Sequence, residues 1–120
     1  MDNHRLPLQL ITRRQDNFYK FMYRKQKFKD ILRSKNSIHM HLTGPLQTNK
    51  VGQALEIFDV FHTLDRVKLL KEFSKHQEKI NKKKFYIQVN TGKEETKSGV
   101  YPENLNEFIK LCQFYNIPNI

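Results

Sequence analysis

The sequence of 120 residues predicts an α/β fold of about three βα units whose strands run parallel. Three observations carry this expectation. From residue 37 onward, short β-branched or aromatic runs alternate with longer stretches whose apolar residues fall at three-and-four spacing. Crossovers of that length return the chain to the same edge of a sheet, which makes successive strands parallel and the connections right-handed. The repeat, roughly 20 to 30 residues per unit, suits either a doubly wound sheet or an arc of a (β/α)8 barrel, and a closed barrel needs about 250 residues.

Residues 1 to 14 show no period and read as a loose tail. RRQDNFYKFMYRKQKFKDILRSK then sets Phe18, Phe21, Met22, Lys25, Phe28, Ile31 and Leu32 in helical register, predicting a basic amphipathic helix over about 17 to 34. The chain thus divides into a divergent amino-terminal tail with the start of that helix, 1–27, and an α/β part, 28–120. SIHMHLT (37 to 43) reads as a strand that stops at Gly44-Pro45. LQTNKVGQALEIF places Leu46, Lys50, Val51, Ala54 and Leu55 at helical spacing, with Gly52 weakening the helix. FDVFHTLD (58 to 65) is the next strand, and Asp65 suits the N-cap of a helix carrying Val67, Leu69, Leu70, Phe73 and Ile80. KFYIQVNT (84 to 91) is a third strand closed by Gly92. Pro102 fits a first helical position ahead of the apolar face Leu105, Phe108, Ile109, Leu111, Cys112, and NIPNI reads as the beginning of a fourth strand.

Composition narrows the function classes. Hydrophobic content of 38% and charged content of 28% fit one modest core. No apolar run reaches the roughly 18 residues of a membrane span, and LPLQLI is too short and wrongly flanked for a secretory signal, so a cytoplasmic location is expected. Cys112 stands alone, which excludes an internal disulfide and suits a helix core position. The net charge of +10 raises nucleic acid or an anionic ligand as partner. Lysine runs such as Lys82, Lys83, Lys84 and the Lys, Asn and Ile bias of AT-rich coding sequence account for that charge equally well.

Ligands of α/β proteins of this order sit beyond the carboxyl ends of the strands. That selects 43 to 50, 63 to 66 and 90 to 99. TGKEETKSG holds Gly, Lys and Ser but fails as a phosphate-binding P-loop: counting from Gly92, Lys97 falls where the second glycine belongs and Ser98 where the lysine belongs. Glu94 and Glu95 would also oppose an anion there. His39 and His41 share a strand face, yet His62 lies on another strand and no third ligand has suitable spacing, so no metal site is expected. His41 or His62 fits better as a hydrogen-bonding group near a pocket. Lys50, Lys93 and Lys97 fall on loops or helix starts beside other charges, none suited to a Schiff base, and no Ser-His-Asp or Cys-His pairing is suggested. No catalytic residue is therefore assigned.

Three segments read together resemble the pyridoxal-phosphate homeostasis proteins, the YggS-type family: His41-Leu42-Thr43-Gly44-Pro45-Leu46-Gln47-Thr48-Asn49-Lys50, then Phe61-His62-Thr63-Leu64-Asp65-Arg66, then Ile87-Gln88-Val89-Asn90-Thr91-Gly92 with Glu95, Lys97, Ser98 and Gly99. The resemblance covers about residues 28 to 120. It implies part of an alanine racemase-like (β/α)8 barrel of the type III pyridoxal-phosphate fold, binding pyridoxal 5'-phosphate without a known turnover reaction and serving vitamin B6 and amino-acid balance. By resemblance, His41, Gly44, Gln47, Asn49, His62 and Asn90 are cofactor-binding candidates at the pocket mouth. The family's Schiff-base lysine on its first strand and its phosphate loops after the last strands fall outside the matched stretch, and Gln15-Asp16-Asn17 is a faint echo of a Gly-Glu-Asn element. The expectation is a truncated, non-enzymatic barrel piece, from about a third strand to a fifth helix, with weak or defective cofactor binding. Its expected partner is a complementary barrel fragment, or another copy joined through open sheet edges, and not a membrane. The alternative is a small basic nucleic-acid-binding protein using the helix around residues 18–29, where aromatic and basic residues alternate.

Overall fold

The computed structural model describes residues 8–12, 23, 26–27, 38–95 and 98–120. Its centre is a parallel sheet of four strands in chain order: β1 (Leu8–Thr12), β2 (Ile38–Thr43), β3 (Val60–Leu64) and β4 (Lys84–Ile87). The register places Ile11 beside His41, His41 beside Val60, and Phe61 beside Phe85. Between Phe61 and Leu64 the pairing with β4 slips, so β3 carries a bulge beside His62.

Strands β2, β3 and β4 fall where the alternation predicts them. β1 corrects the reading of residues 1 to 14 as a loose tail. A five-residue segment is too short to display a period of its own, and the order of a parallel strand comes from the neighbour it pairs with. The predicted basic helix over 17 to 34 lies outside the described residues, except that Tyr23, Gln26 and Lys27 are helical.

Four helices join the sheet among the described residues: α1 (Val51–Ile57), entered through a 3-10 turn at Thr48–Lys50, α2 (Val67–Ser74), α3 (Gln77–Ile80) and α4 (Leu105–Phe114), entered through a 3-10 turn at Pro102–Asn104. None is long and apolar enough to cross a membrane. Pro102 sits at the start of its turn, as its fixed φ favours. Asp65 does not cap α2. Arg66 holds the cap position without a side-chain hydrogen bond, and the Asp65 carboxylate instead accepts from Arg66 Nη1 at 2.8 Å. An adjacent guanidinium offers a charged donor in competition with the helix N–H groups. α4 closes with Asn116 at φ 57° and Ile117 N–H donating to the Cys112 carbonyl at 2.9 Å, a left-handed cap that asparagine tolerates.

One face of the sheet and the helices enclose the core. Ile38, Met40 and Leu42 are buried while His39, His41 and Thr43, on the opposite face of β2, are half-buried. Phe61 stacks on Phe85 at 5.5 Å between centroids, and Phe73 of α2 meets both rings edge-on at 5.2 and 5.0 Å. Phe58, Leu69, Leu70, Phe108 and Cys112 complete this cluster. Beyond β4, Val100 runs parallel beside 88 to 90: its N–H donates to the Gln88 carbonyl and its carbonyl accepts from Asn90, both at 2.8 Å. The Asn119 carbonyl accepts from Phe85 N–H at 3.1 Å, so the NIPNI segment touches the outer edge of β4.

Candidate functional site

The carboxyl ends of β2, β3 and β4 open into one depression. β2 ends at Thr43, and Gly44 turns the chain with φ 86°, a left-handed value that glycine adopts without a Cβ penalty. The chain then passes through Pro45 into the turn at Thr48–Lys50. Arg66 Nη2 donates to the Leu46 carbonyl at 2.5 Å and ties this turn to the end of β3. After β4, residues 88 to 90 carry the strand direction onward, and the loop 91 to 99 folds back on it. Gly99 permits that approach: at φ 126° its ideal Cβ would lie 2.7 Å from the Asn90 nitrogen.

The resulting cavity has a volume of about 820 Å³, lined by Gly44, His62, Gln88, Asn90, Glu94 and Ser98 among others. Asn90 is buried and organises the loop. Its Nδ2 donates to the Glu94 carbonyl at 2.7 Å, and its Oδ1 accepts from the Glu94 N–H at 3.3 Å. Gln88 lines the cavity, while its Oε1 is turned away from solvent, buried and without a hydrogen-bond partner. Glu94 is the one lining residue, among the described residues, with a formal charge at neutral pH.

A polar row crosses the open face of the sheet into this cavity. Gln9 Oε1 meets His41 Nε2, His41 Nδ1 lies 2.9 Å from His62 Nε2, and the His62 ring stacks on Tyr86 at 4.7 Å. Donor and acceptor roles along this row follow the tautomers: where Gln9 Oε1 accepts from His41 Nε2, His41 Nδ1 accepts from His62 Nε2. Burial and then His62 and His39 hold the His41 pKa below its ordinary value, while Asp59 acts weakly the other way; burial alone lowers that of His62. Both rings are therefore neutral at pH 7.

Of the residues expected at the mouth, Gly44, His62 and Asn90 line this cavity and His41 stands one contact away. Gln47 lines a neighbouring hollow of about 540 Å³ with Arg66, Ser98 and Gly99. Asn49 is exposed on the turn at Thr48–Lys50 and lines neither. Gln88 was not singled out, although it stands two residues from Asn90 and so shares its strand face. Gln9 had no signal, because its segment shows no period. Burial lifts the Asp65 carboxyl above its ordinary pKa despite the opposing Arg66 charge. Among the described residues no group of three or more His, Cys, Asp or Glu is placed to hold a metal ion.

The chemistry of the cavity lining can be set against pyridoxal phosphate. A phosphate wants N–H donors or cations, and the aldehyde wants a lysine amine. The described lining residues offer hydroxyl donors at Thr43, Thr91 and Ser98 but include neither Lys nor Arg. They supply neither a cation for the phosphate nor an amine for the aldehyde.

No family model matches the chain. Curated relatives do. The chain is 40% identical over 84 residues to the pyridoxal phosphate homeostasis protein of Aquifex aeolicus, covering 69% of this chain and 36% of that protein. It is 37% identical over 86 residues to that of Vibrio cholerae and 36% identical over 86 residues to that of Haemophilus influenzae, in each case covering 70% of this chain and 35% of the relative. Among solved structures, a protein of unknown function from Bifidobacterium adolescentis superposes with a TM-score of 0.73 at 23% identity, over 87% of this chain and 44% of that one. PipY of Synechococcus elongatus, solved without PLP, gives 0.57 at 22% identity, over 90% and 58%. The structural likenesses show the fold; the sequence matches carry the kinship, and the chain spans about a third of the length of these curated relatives. The chain belongs to the pyridoxal phosphate homeostasis protein family.

Proposed function

We propose that the chain acts in vitamin B6 and amino-acid homeostasis as a non-catalytic, cytoplasmic member of its family, and that by itself it holds pyridoxal 5'-phosphate weakly. The observation that carries this reading is the match of 84 to 86 residues with relatives bearing that name. The cavity beyond β3 and β4 supports it, being where parallel α/β folds receive ligands. Weak binding is supported by the described lining, which holds neither Lys nor Arg. A cofactor does its chemistry only when the protein anchors it, so a site without a cation or an amine retains little affinity.

Mixing the purified chain with pyridoxal phosphate, reducing with borohydride and mapping the label by mass spectrometry tests this. Scattered labelling at sub-stoichiometric levels over many lysines is expected. Stoichiometric labelling at one lysine would overturn weak binding.

The reading extends to a partner, namely a chain that supplies further barrel strands. Supporting it, β1 ends the sheet with no neighbour on its outer side among the described residues, and Ile11 is 67% and Tyr86 43% exposed on the face turned from the helices. A parallel sheet bare on one face is rare, because both faces are ordinarily covered.

A further inference from the structure

We propose that the His41–His62 contact is an acid-operated switch at the wall of the cavity, one that takes up a single proton with its geometry intact and is forced apart by a second. The inference stands on the contact between the two rings and is independent of the cofactor reading.

His41 Nδ1 and His62 Nε2 lie 2.9 Å apart across β2 and β3, with the ring centroids 5.2 Å apart. A contact of that length needs one hydrogen between the two nitrogens and one lone pair to receive it. This holds in either tautomer. One added proton respects the requirement, because a charged ring still donates to the lone pair of its neutral neighbour, and Gln9 Oε1 is in place to accept from His41 Nε2. A second proton removes the last lone pair between the rings. Two N–H groups then point at each other and two cations face across 5.2 Å, so the contact opens.

The titratable and charged groups around the pair, among the described residues, are His39 on the same face of β2, Asp59 ahead of β3, Lys84 and Tyr86 on β4, and Glu94 in the lining that His62 shares. No carboxylate among the described residues hydrogen-bonds either ring. Asp59 acts on His41 only weakly, and its Oδ2 accepts from the Met40 N–H at 2.8 Å. His62, by contrast, stands next after burial among the causes that hold His41 below its ordinary value, as the like charge of a neighbour requires. His62 also stacks on Tyr86 at 4.7 Å and lines the cavity. The first proton therefore sets a positive charge at a wall where Glu94 is the one formal charge among the described lining residues, and the second displaces the His62 ring itself.

The test follows the full chain, labelled with 15N, in long-range histidine spectra from pH 8 downward, with circular dichroism reporting the fold at each pH. In the first step the His41 and His62 nitrogens should move together, each by part of the change of a full protonation, while the Tyr86 ring protons keep their positions. The second step should follow more than about one pH unit lower and move the Tyr86 ring as well. His41→Gln should collapse the two steps to one at His62, and His62→Phe, which keeps a ring against Tyr86, should do the same at His41. Where acid unfolds the chain before the second step, the partial, shared first step and the two variants decide. Both rings taking a full proton over one pH interval with Tyr86 unmoved, or either variant leaving the remaining histidine to titrate as in the wild type, would overturn the proposal.

Discussion

At the scale of single residues, the His41–His62 pair makes stability depend on pH in a determined direction. Both imidazoles have pKa values lowered in the folded chain, chiefly by burial, with His62 and His39 also acting on His41. The unfolded chain, where histidine titrates near pH 6.5, therefore binds more protons as the pH drops. Stability should be full above about pH 7.5 and fall as the pH passes through the unfolded value. Urea melts at pH 7.5 and 5.5 should show a lower midpoint at the acid pH, and the double variant His41→Gln, His62→Phe should flatten that difference; an unchanged slope would remove the pair from the account. A second residue makes a prediction of opposite sign. Thr63 is fully buried and its Oγ1 has no hydrogen-bond partner. Thr63→Val keeps the shape and removes the orphan hydroxyl, so it should stabilise by about 1 kcal/mol, read from the denaturation midpoint. The two histidines were legible in the sequence as polar groups near a pocket. Their contact was not, because it joins residues of different strands, and only the register of β2 against β3 brings them within 2.9 Å. Cys112 was legible completely: it sits in the core cluster, and burial pushes its thiol up to about 11.

At the scale of elements, β2, β3 and β4 were readable because each is a short β-branched or aromatic run between turn residues, while β1 takes its order from β2 and left no pattern of its own. The loop after β4 shows the same division. Its polarity marked it as a candidate, but its shape depends on one close approach that no local pattern announces. Gly99 lies in the left-handed region, and a Cβ there would stand 2.7 Å from the Asn90 nitrogen and 3.0 Å from the Val89 carbonyl carbon, both backbone atoms that cannot swing aside. Gly99→Ala should therefore cost at least about 1–3 kcal/mol in backbone strain alone. It should also separate Val100 from residues 88 to 90, breaking two hydrogen bonds of 2.8 Å. Thermal melts would read the loss, and faster amide exchange at Asn90 and Val100 would localise it. A variant as stable as the wild type would show that the loop has another way to close.

At the scale of the molecule, the described residues cover the sheet on one side and leave it open on the other. The helices bury Met40, Leu42, Phe61 and Phe85, and the opposite face carries Gln9, Ile11, His41, His62 and Tyr86. His41 and His62 blunt that face only partly, since they are neutral at pH 7, and Lys84, with its ammonium 5.4 Å from the Tyr86 ring centroid, adds a charge on the β4 side. The two ends of the sheet differ as well. β4 has the Asn119 carbonyl on its outer side, while β1 has no neighbour on its outer side among the described residues. Association through this face and edge, the partner proposed above, should make the sedimentation coefficient rise with concentration in the micromolar range. Ile11→Lys and Tyr86→Lys together put two charges where a partner's apolar groups would sit, and burying an unpaired charge is costly enough to disperse the complex. The double variant should sediment as a monomer at concentrations where the wild type does not, with its core unaltered because neither side chain belongs to the buried cluster. A wild type that stays monomeric throughout would rule out a second copy as the partner, and a variant that associates just as strongly would place the contact elsewhere on the molecule.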